Sequence, residues 1–253
     1  MTIALKRGIF LGTLLILWEV VFRIGIWPEF LFPSPINVGR TLFNGFSGGN
    51  YLAAIFNSFR RLLIGYGISI VLGVSAGIML AINKTADEVL GLLIISMQSV
   101  PSVVWLPLAL LWFRLGEASI IFVIVLGGIW NMILNTVTGI KNVEPTLVRC
   151  GKNLGYKGIR LFSKVILPAS LPHLITGMRL SWAFCWRALM AAEILGTGMG
   201  LGQILMWGRE LGNMETVLSV MIIIAFTGLI TDNLIFKRIE DNVYRKWGLS
   251  AHS

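Results

Sequence analysis

Three charged side chains lie in one apolar run. The segment LPHLITGMRLSWAFCWRALMAAEILG, residues 171–196, carries Arg179, Arg187 and Glu193. Charge in such a run is costly, and it usually faces a partner or a water-filled path. On a wheel of 100° per residue, Arg179, Trp182, Ala183, Trp186, Met190 and Glu193 fall within about 60° of their mean direction, and Arg187 lies about 80° from Arg179. One helix face therefore joins a cation, two large aromatics and an acid, with Arg187 at its border. Arg179 and Glu193 are about 21 Å apart along the axis, too far to pair with each other. The chemistry on offer is electrostatic. Arg187 would lend positive potential to an anion path walled by Trp182 and Trp186, with Arg179 and Glu193 on the same route. Gln98, Ser99 and Ser102 flank Pro101 in another apolar run. A proline break there frees backbone groups and lets these side chains supply hydrogen bonds to a cavity. The competing reading is structural: each charge pairs with a neighbouring helix.

Other chemistries find no residues. His173 and His252 stand far apart, and Cys150 and Cys185 form neither a metal-ligand spacing nor a disulfide framework. No activated nucleophile or His/Asp/Glu cluster suggests a membrane enzyme. GTGMGLGQ, residues 196–203, is rich in glycine but follows a helix pattern instead of a strand, so the context of a phosphate cradle is missing. It reads as a tight outer loop, with Trp207, Arg209 and Glu210 beyond it as contacts for an outside partner. Glu19 and Arg23, four apart, read as a pair. Asp232 reads as a cap or as the partner of a nearby Lys or Arg.

The elements that must position these groups are membrane helices. Of 253 residues, 56% are hydrophobic and only 13% charged, against about 25% charged in soluble domains. Mean hydropathy is +0.81. The net charge of +9 fits Lys and Arg gathered in cytoplasmic loops better than nucleic-acid binding. Runs of roughly 20 apolar residues span a bilayer; six candidates lie near 8–27, 62–82, 88–113, 118–140, 170–195 and 216–236. Pro101 and Pro107 should bend or break the third. With both termini cytoplasmic, thirteen Lys and Arg fall on the inner pieces and five, Arg60 and Arg61 among them, on the outer ones. The chain divides into an N-terminal helix and outer loop at 1–57, a core at 58–236 with a cytoplasmic loop at 141–168, and a solvated cytoplasmic tail at 237–253.

That loop contains RCGKNLGYKGIRLFSKVILP, residues 149–168, with five cations and no acid. Leu147, Cys150 and Leu154 form one helical stripe. Gly155 ends it as a C-cap glycine. Ile159, Phe162 and Ile166 form a second short stripe, which Pro168 stops before a new helix begins. Two short amphipathic helices joined at Gly155–Gly158 could rest on anionic lipid or dock a cytoplasmic protein. Periodicity does not separate these.

Gly155, nine residues, then Val165-x-Leu167-Pro168 resembles the loop of binding-protein-dependent ABC importer permeases, whose pattern is Glu-Ala-Ala-x-x-x-Gly, nine residues, Ile-x-Leu-Pro. The Glu-Ala-Ala positions fall on Arg149, Cys150 and Gly151, so the acid is replaced; Glu144 could substitute for it. SVPSVVWLPLALLWFRLGEAS (99–119), LFPSPINVGRTL (31–42) and WRALMAAEILG (186–196) look like the nitrate, sulfonate, taurine and bicarbonate branch. The resemblance implies an all-α, polytopic chain of type I ABC importer permease architecture. It implies a second permease copy, most simply as a homodimer, two ATP-binding cassette subunits and a periplasmic or lipid-anchored solute-binding protein. ATP and Mg would be bound by the ATPase, with no cofactor in this chain, which has no P-loop. Glu144, Leu147, Arg149, Cys150, Gly151, Leu154, Gly155, Tyr156, Leu167 and Pro168 would form the contact with that ATPase. Its closure would rock the spans between inward-open and outward-open states in a bacterial or archaeal cytoplasmic membrane. The alternative, an ATP-independent secondary carrier or channel, predicts inverted repeats and leaves the loop pattern unexplained.

Overall fold

The protein is described by a computed structural model covering residues 3–196 and 198–246. All the regular structure among these residues is helical. It comprises α1 (Ile3–Ile24), α2 (Pro35–Ser47), α3 (Asn50–Ile82), α4 (Lys84–Ser99), α5 (Leu106–Phe113), α6 (Glu117–Lys141), α7 (Pro145–Asn153), α8 (Gly158–Leu161), α9 (Leu167–Leu195), α10 (Leu201–Glu210), α11 (Met214–Thr231) and α12 (Lys237–Lys246). The chain forms two compact units. One holds Met1–Ser58 and Gly198–Phe226, the other Phe59–Thr197 and Thr227–Ser253.

In the first unit, α2 starts where the sequence says a helix should. Ser34 accepts a hydrogen bond from the Asn37 backbone N–H, and Pro35 occupies the first turn, where its missing donor costs nothing. Val38 is buried, and its carbonyl accepts from the Ser219 hydroxyl at 3.0 Å. Thr41 donates to Glu215 at 2.9 Å. The Leu201 backbone N–H donates to Ser58 Oγ at 2.9 Å. α1 is 22 residues long, and the expected Glu19–Arg23 pair forms on it at 2.7 Å.

The second unit is a helix bundle closed by small residues. α3 sets Gly65, Gly73 and Gly77 against Ile124, Met132 and Thr136 of α6, while Gly127, Gly128 and Gly139 of α6 meet Ala188, Cys185 and His173 of α9. Small side chains let backbones approach where lipid offers no hydrophobic driving force between helices. Hydroxyls stitch the contact: Ser69 donates to the Val125 carbonyl of α6 at 3.1 Å, and Ser181 to the Gly128 carbonyl at 2.9 Å. Among the described residues no buried side-chain polar atom lacks a partner. A Cβ at Gly128 would lie 2.4 Å from Cys185 Sγ and 2.6 Å from Ser181 Oγ. Gly128→Val is therefore expected to cost about 1–3 kcal/mol through overpacking. Gly67→Ala, with open space around it in the interior of α3, should hold or slightly raise the thermal midpoint in detergent. Equal midpoints for the two variants would refute this packing.

Several expectations change. Among the described residues, four single helices are long and apolar enough to cross a membrane: 50–82, 117–141, 158–195 and 214–243. The segments 84–99 and 102–113 qualify only together, as a pair bent by 95°. By length and composition these make four spans, or five with the bent pair, against the expected six; α1, the remaining candidate, is 22 residues long and carries Lys6, Arg7, Glu19 and Arg23 among its apolar residues. The break near Pro101 falls where the prolines placed it. α3 begins at Asn50 instead of residue 62, so Arg61 sits inside a helix, not in an outer loop.

Pro168 does not end a helix. Residues 158–195 run continuously because Phe162–Ile166 form one wide π turn, in which the Leu167 N–H donates to the Phe162 carbonyl. The wide turn absorbs the bond and the space that a proline would otherwise disrupt. A second π turn at Asp232–Phe236 carries α11 into α12. Residues 237–246 form a helix on which Lys237, Arg238 and Arg245 are exposed and Glu240 is part-buried.

Candidate functional site

The break between α4 and α5 makes a cavity. α4 stops at Ser99, Val100 and Pro101 are extended, and Ser102–Trp105 form a single tight turn before α5. The cavity is about 350 Å³ and opens among Gln98, Ser99, Ser102, Trp130, Asn131, Phe184 and Arg187. Gln98 Nε2 donates to Asn131 Oδ1 at 2.9 Å, and Ser99 donates to the Ser96 carbonyl at 2.7 Å. The Arg187 guanidinium lies 5.2 Å from the centre of the Phe184 ring, a cation–π contact. No carboxylate among the described residues pairs with Arg187.

Sequence reasoning placed Gln98, Ser99, Ser102 and Arg187 together, and the structure does so. It missed Trp130, Asn131 and Phe184. Asn131 was the legible clue: an amide in an apolar run needs a partner. Arg179, Trp182, Trp186 and Glu193 do not line this cavity. Trp182 is buried against Tyr66, edge to face at 5.0 Å, and against Phe236 at 5.4 Å. Trp186 stacks on Phe59 at 5.6 Å.

The two other charges pair between helices. Arg179 grips Asp232 with Nε and Nη2, at 2.8 and 2.7 Å, and reaches Glu240 with Nη1 at 2.6 Å. This fork ties α9 to the start of the second π turn and to α12, and it gives Asp232 a cationic partner on another helix instead of a nearby Lys or Arg. Glu193 accepts from Arg61 Nη1 at 2.8 Å; the two side chains are 1% and 3% exposed. Arg61 also reaches Glu117 at 3.4 Å, and Arg60 bonds the same carboxylate.

The 141–168 segment hangs from two fixed points. At its start, Lys141 pairs with Asp87 on the first turn of α4. α7 then ends in a Schellman cap: the Tyr156 N–H donates to the Gly151 carbonyl and the Gly155 N–H to the Lys152 carbonyl. Gly155, at φ +86°, adopts the left-handed conformation this cap requires, and Gly158 follows at +52°. Gly151 faces inward, where a Cβ would lie 2.8 Å from Val165 and 2.9 Å from Leu161. The Leu147–Cys150–Leu154 stripe therefore faces away. Leu154 is 77% exposed and Ile159 83%; Glu144, Arg149 and Tyr156 are exposed as well. Leu167 and Pro168 are half-buried at the top of α9.

The glycine-rich stretch at 196–203 is only partly a loop, because α10 begins at Leu201; Thr197 lies outside the described residues. Trp207, Arg209 and Glu210 are exposed on α10. No group of three or more His, Cys, Asp or Glu among the described residues could hold a metal.

Residues 69–246 match the family described as binding-protein-dependent transport system inner membrane component. A putative ABC transporter permease protein of Methanocaldococcus jannaschii is 32% identical over 91% of this chain and 88% of its own length. The putative aliphatic sulfonates transport permease protein of Bacillus subtilis is 30% identical over 95% of this chain and 87% of its own. The nitrate import permease protein of Leptolyngbya laminosa is 29% identical over 70% of this chain and 64% of its own. Among solved structures, an inward-facing methionine ABC transporter chain superposes with a TM-score of 0.68 at 16% identity, covering 77% of this chain and 96% of that one. A broken span beside a bundle of small-residue contacts, the loop glycine at its cap and these relatives converge: the chain belongs to the binding-protein-dependent transport system inner membrane components, the membrane-spanning permease subunits of ABC importers.

Proposed function

We propose that this permease subunit passes a small anion through the cavity at the Pro101 break, with Arg187 as its electrostatic anchor. The observation that carries the reading is Arg187 itself: a guanidinium in a cavity, held by a ring face and paired with no carboxylate among the described residues. Gln98, Ser99 and Ser102 supply the remaining polar wall. Sulfonate and nitrate, the solutes named for two relatives, are both anions; bicarbonate and taurine share the anionic head. The residues Arg179, Trp182, Trp186 and Glu193 act on the path indirectly, by holding α9 in place.

In this reading α7 is the coupling element. Its outward stripe, Leu147, Cys150 and Leu154, with Tyr156 at the cap, seats in a partner ATP-binding subunit that holds the ATP and Mg. Glu144 and Arg149 supply the polar contacts, while Gly151, Leu167 and Pro168 attach the element to the bundle. The working assembly is a permease homodimer, two ATPase subunits and a solute-binding protein that meets Trp207, Arg209 and Glu210. Both termini face the cytoplasm of a bacterial or archaeal cell. The family membership supports an ATP-driven importer over an ATP-independent carrier or channel.

The test is uptake into proteoliposomes carrying the permease, its ATPase and its binding protein. Arg187→Gln is expected to lower anion uptake on the order of tenfold to a hundredfold, the worth of a charge-assisted bond. Arg187→Lys should retain part of it. Unchanged uptake in Arg187→Gln would remove the anion reading.

A further inference from the structure

We infer that the Pro101 cavity is shaped for an organic anion with a flat apolar body, an aryl sulfonate or aryl carboxylate, and not for a bare inorganic oxyanion. The inference rests on the anion reading and narrows it. Its first support is the polar inventory. Gln98 and Asn131 bond each other, and Ser99 bonds a backbone carbonyl. That leaves the Arg187 guanidinium and the Ser102 hydroxyl as the principal uncommitted donors, enough for one anionic head.

The second support is the rest of the wall. Val100, Val103, Leu126, Trp130, Phe184 and Ala191 offer hydrocarbon and ring faces with no polar side-chain atom except the Trp130 indole N–H. A pocket of apolar wall with a few orienting groups is the usual form for an organic ligand. The third support is size. At about 350 Å³, the cavity matches the lower range of small-molecule pockets. An oxyanion little larger than a water, about 30 Å³ in the liquid, would leave most of that apolar wall in contact with solvent. An aryl group would cover it, with its ring on Trp130 or Phe184 and its charge at Arg187, for which the existing cation–π contact is a template.

The test is equilibrium binding of labelled benzenesulfonate and of nitrate to the full chain in lipid nanodiscs, with Arg187→Gln and Ala191→Leu as variants. Ala191→Leu adds bulk to the apolar wall without touching the charge. The expected result is benzenesulfonate binding on the order of tenfold or more tighter than nitrate, lost in Arg187→Gln and reduced in Ala191→Leu. Nitrate binding should be lost in Arg187→Gln but kept in Ala191→Leu. Equal affinities, both dependent on Arg187, would overturn the organic-body inference and leave the anion reading intact. Binding indifferent to Arg187, or absent for both probes, would overturn the two together.

Discussion

Gly155→Pro is expected to strip the ATP-binding partner from the permease and to reduce ATP-dependent uptake to background. The position is the C-cap of α7, with φ at +86°, whereas proline fixes φ near −65°. Proline also lacks the N–H that Gly155 donates to Lys152. Both defects fall on the Schellman cap that aims Leu154 and Tyr156 outward, and together they should cost about 3 kcal/mol or more locally. The damage should stay local, because nothing stands within 4 Å of a Cβ at this glycine. Gly155→Ala, which can enter the left-handed region at about 1–2 kcal/mol, should show an intermediate loss. Co-purification of the tagged permease with its ATPase reads the first effect and proteoliposome uptake the second. Benzenesulfonate binding at the Pro101 cavity should survive in both variants. A Gly155→Pro chain that still holds the ATPase at wild-type yield would return α7 to a lipid-surface role.

What sequence alone could reach follows a physical boundary. Features set by the local chain were legible: the cap glycine, the proline break, the Glu19–Arg23 pair and the polar trio around Pro101. Each depends on residues within a few positions, so spacing encodes it. Features set by a second helix were not. The wheel put Arg179, Trp182, Trp186 and Glu193 on one face, but could not tell whether water or another helix lay opposite. Asp232 and Glu240, more than fifty residues away, claim Arg179; Arg61, 132 residues away, claims Glu193. The continuity of α8 with α9 was hidden for another reason. A proline normally stops a helix pattern, and only the π turn at 162–166, which leaves no compositional mark, lets the helix run on.

Arg61→Met alone should be the most damaging single change to folding outside the coupling segment, by about 3–5 kcal/mol, because it leaves the Glu193 carboxylate without its guanidinium in the interior. The pair is nearly inaccessible and its bond is short. The double variant Arg61→Met/Glu193→Met should recover most of that loss, since two charges replaced by apolar side chains of similar volume carry no desolvation cost. Arg60, which holds Glu117 alongside, keeps the Glu117 carboxylate partnered in both variants. The exposed Glu19–Arg23 pair supplies the contrast: Glu19→Gln should cost no more than about 0.5 kcal/mol. Thermal midpoints of the wild type, Arg61→Met, Glu193→Met and the double variant in one detergent close the cycle. If the double variant falls as far as Arg61→Met, the loss belongs to the packing of the arginine stem and not to the ion pair. Recovery would assign the loss in Arg61→Met to the buried Glu193 charge deprived of Arg61, with the small-residue contacts of the bundle able to carry the fold without the ion pair.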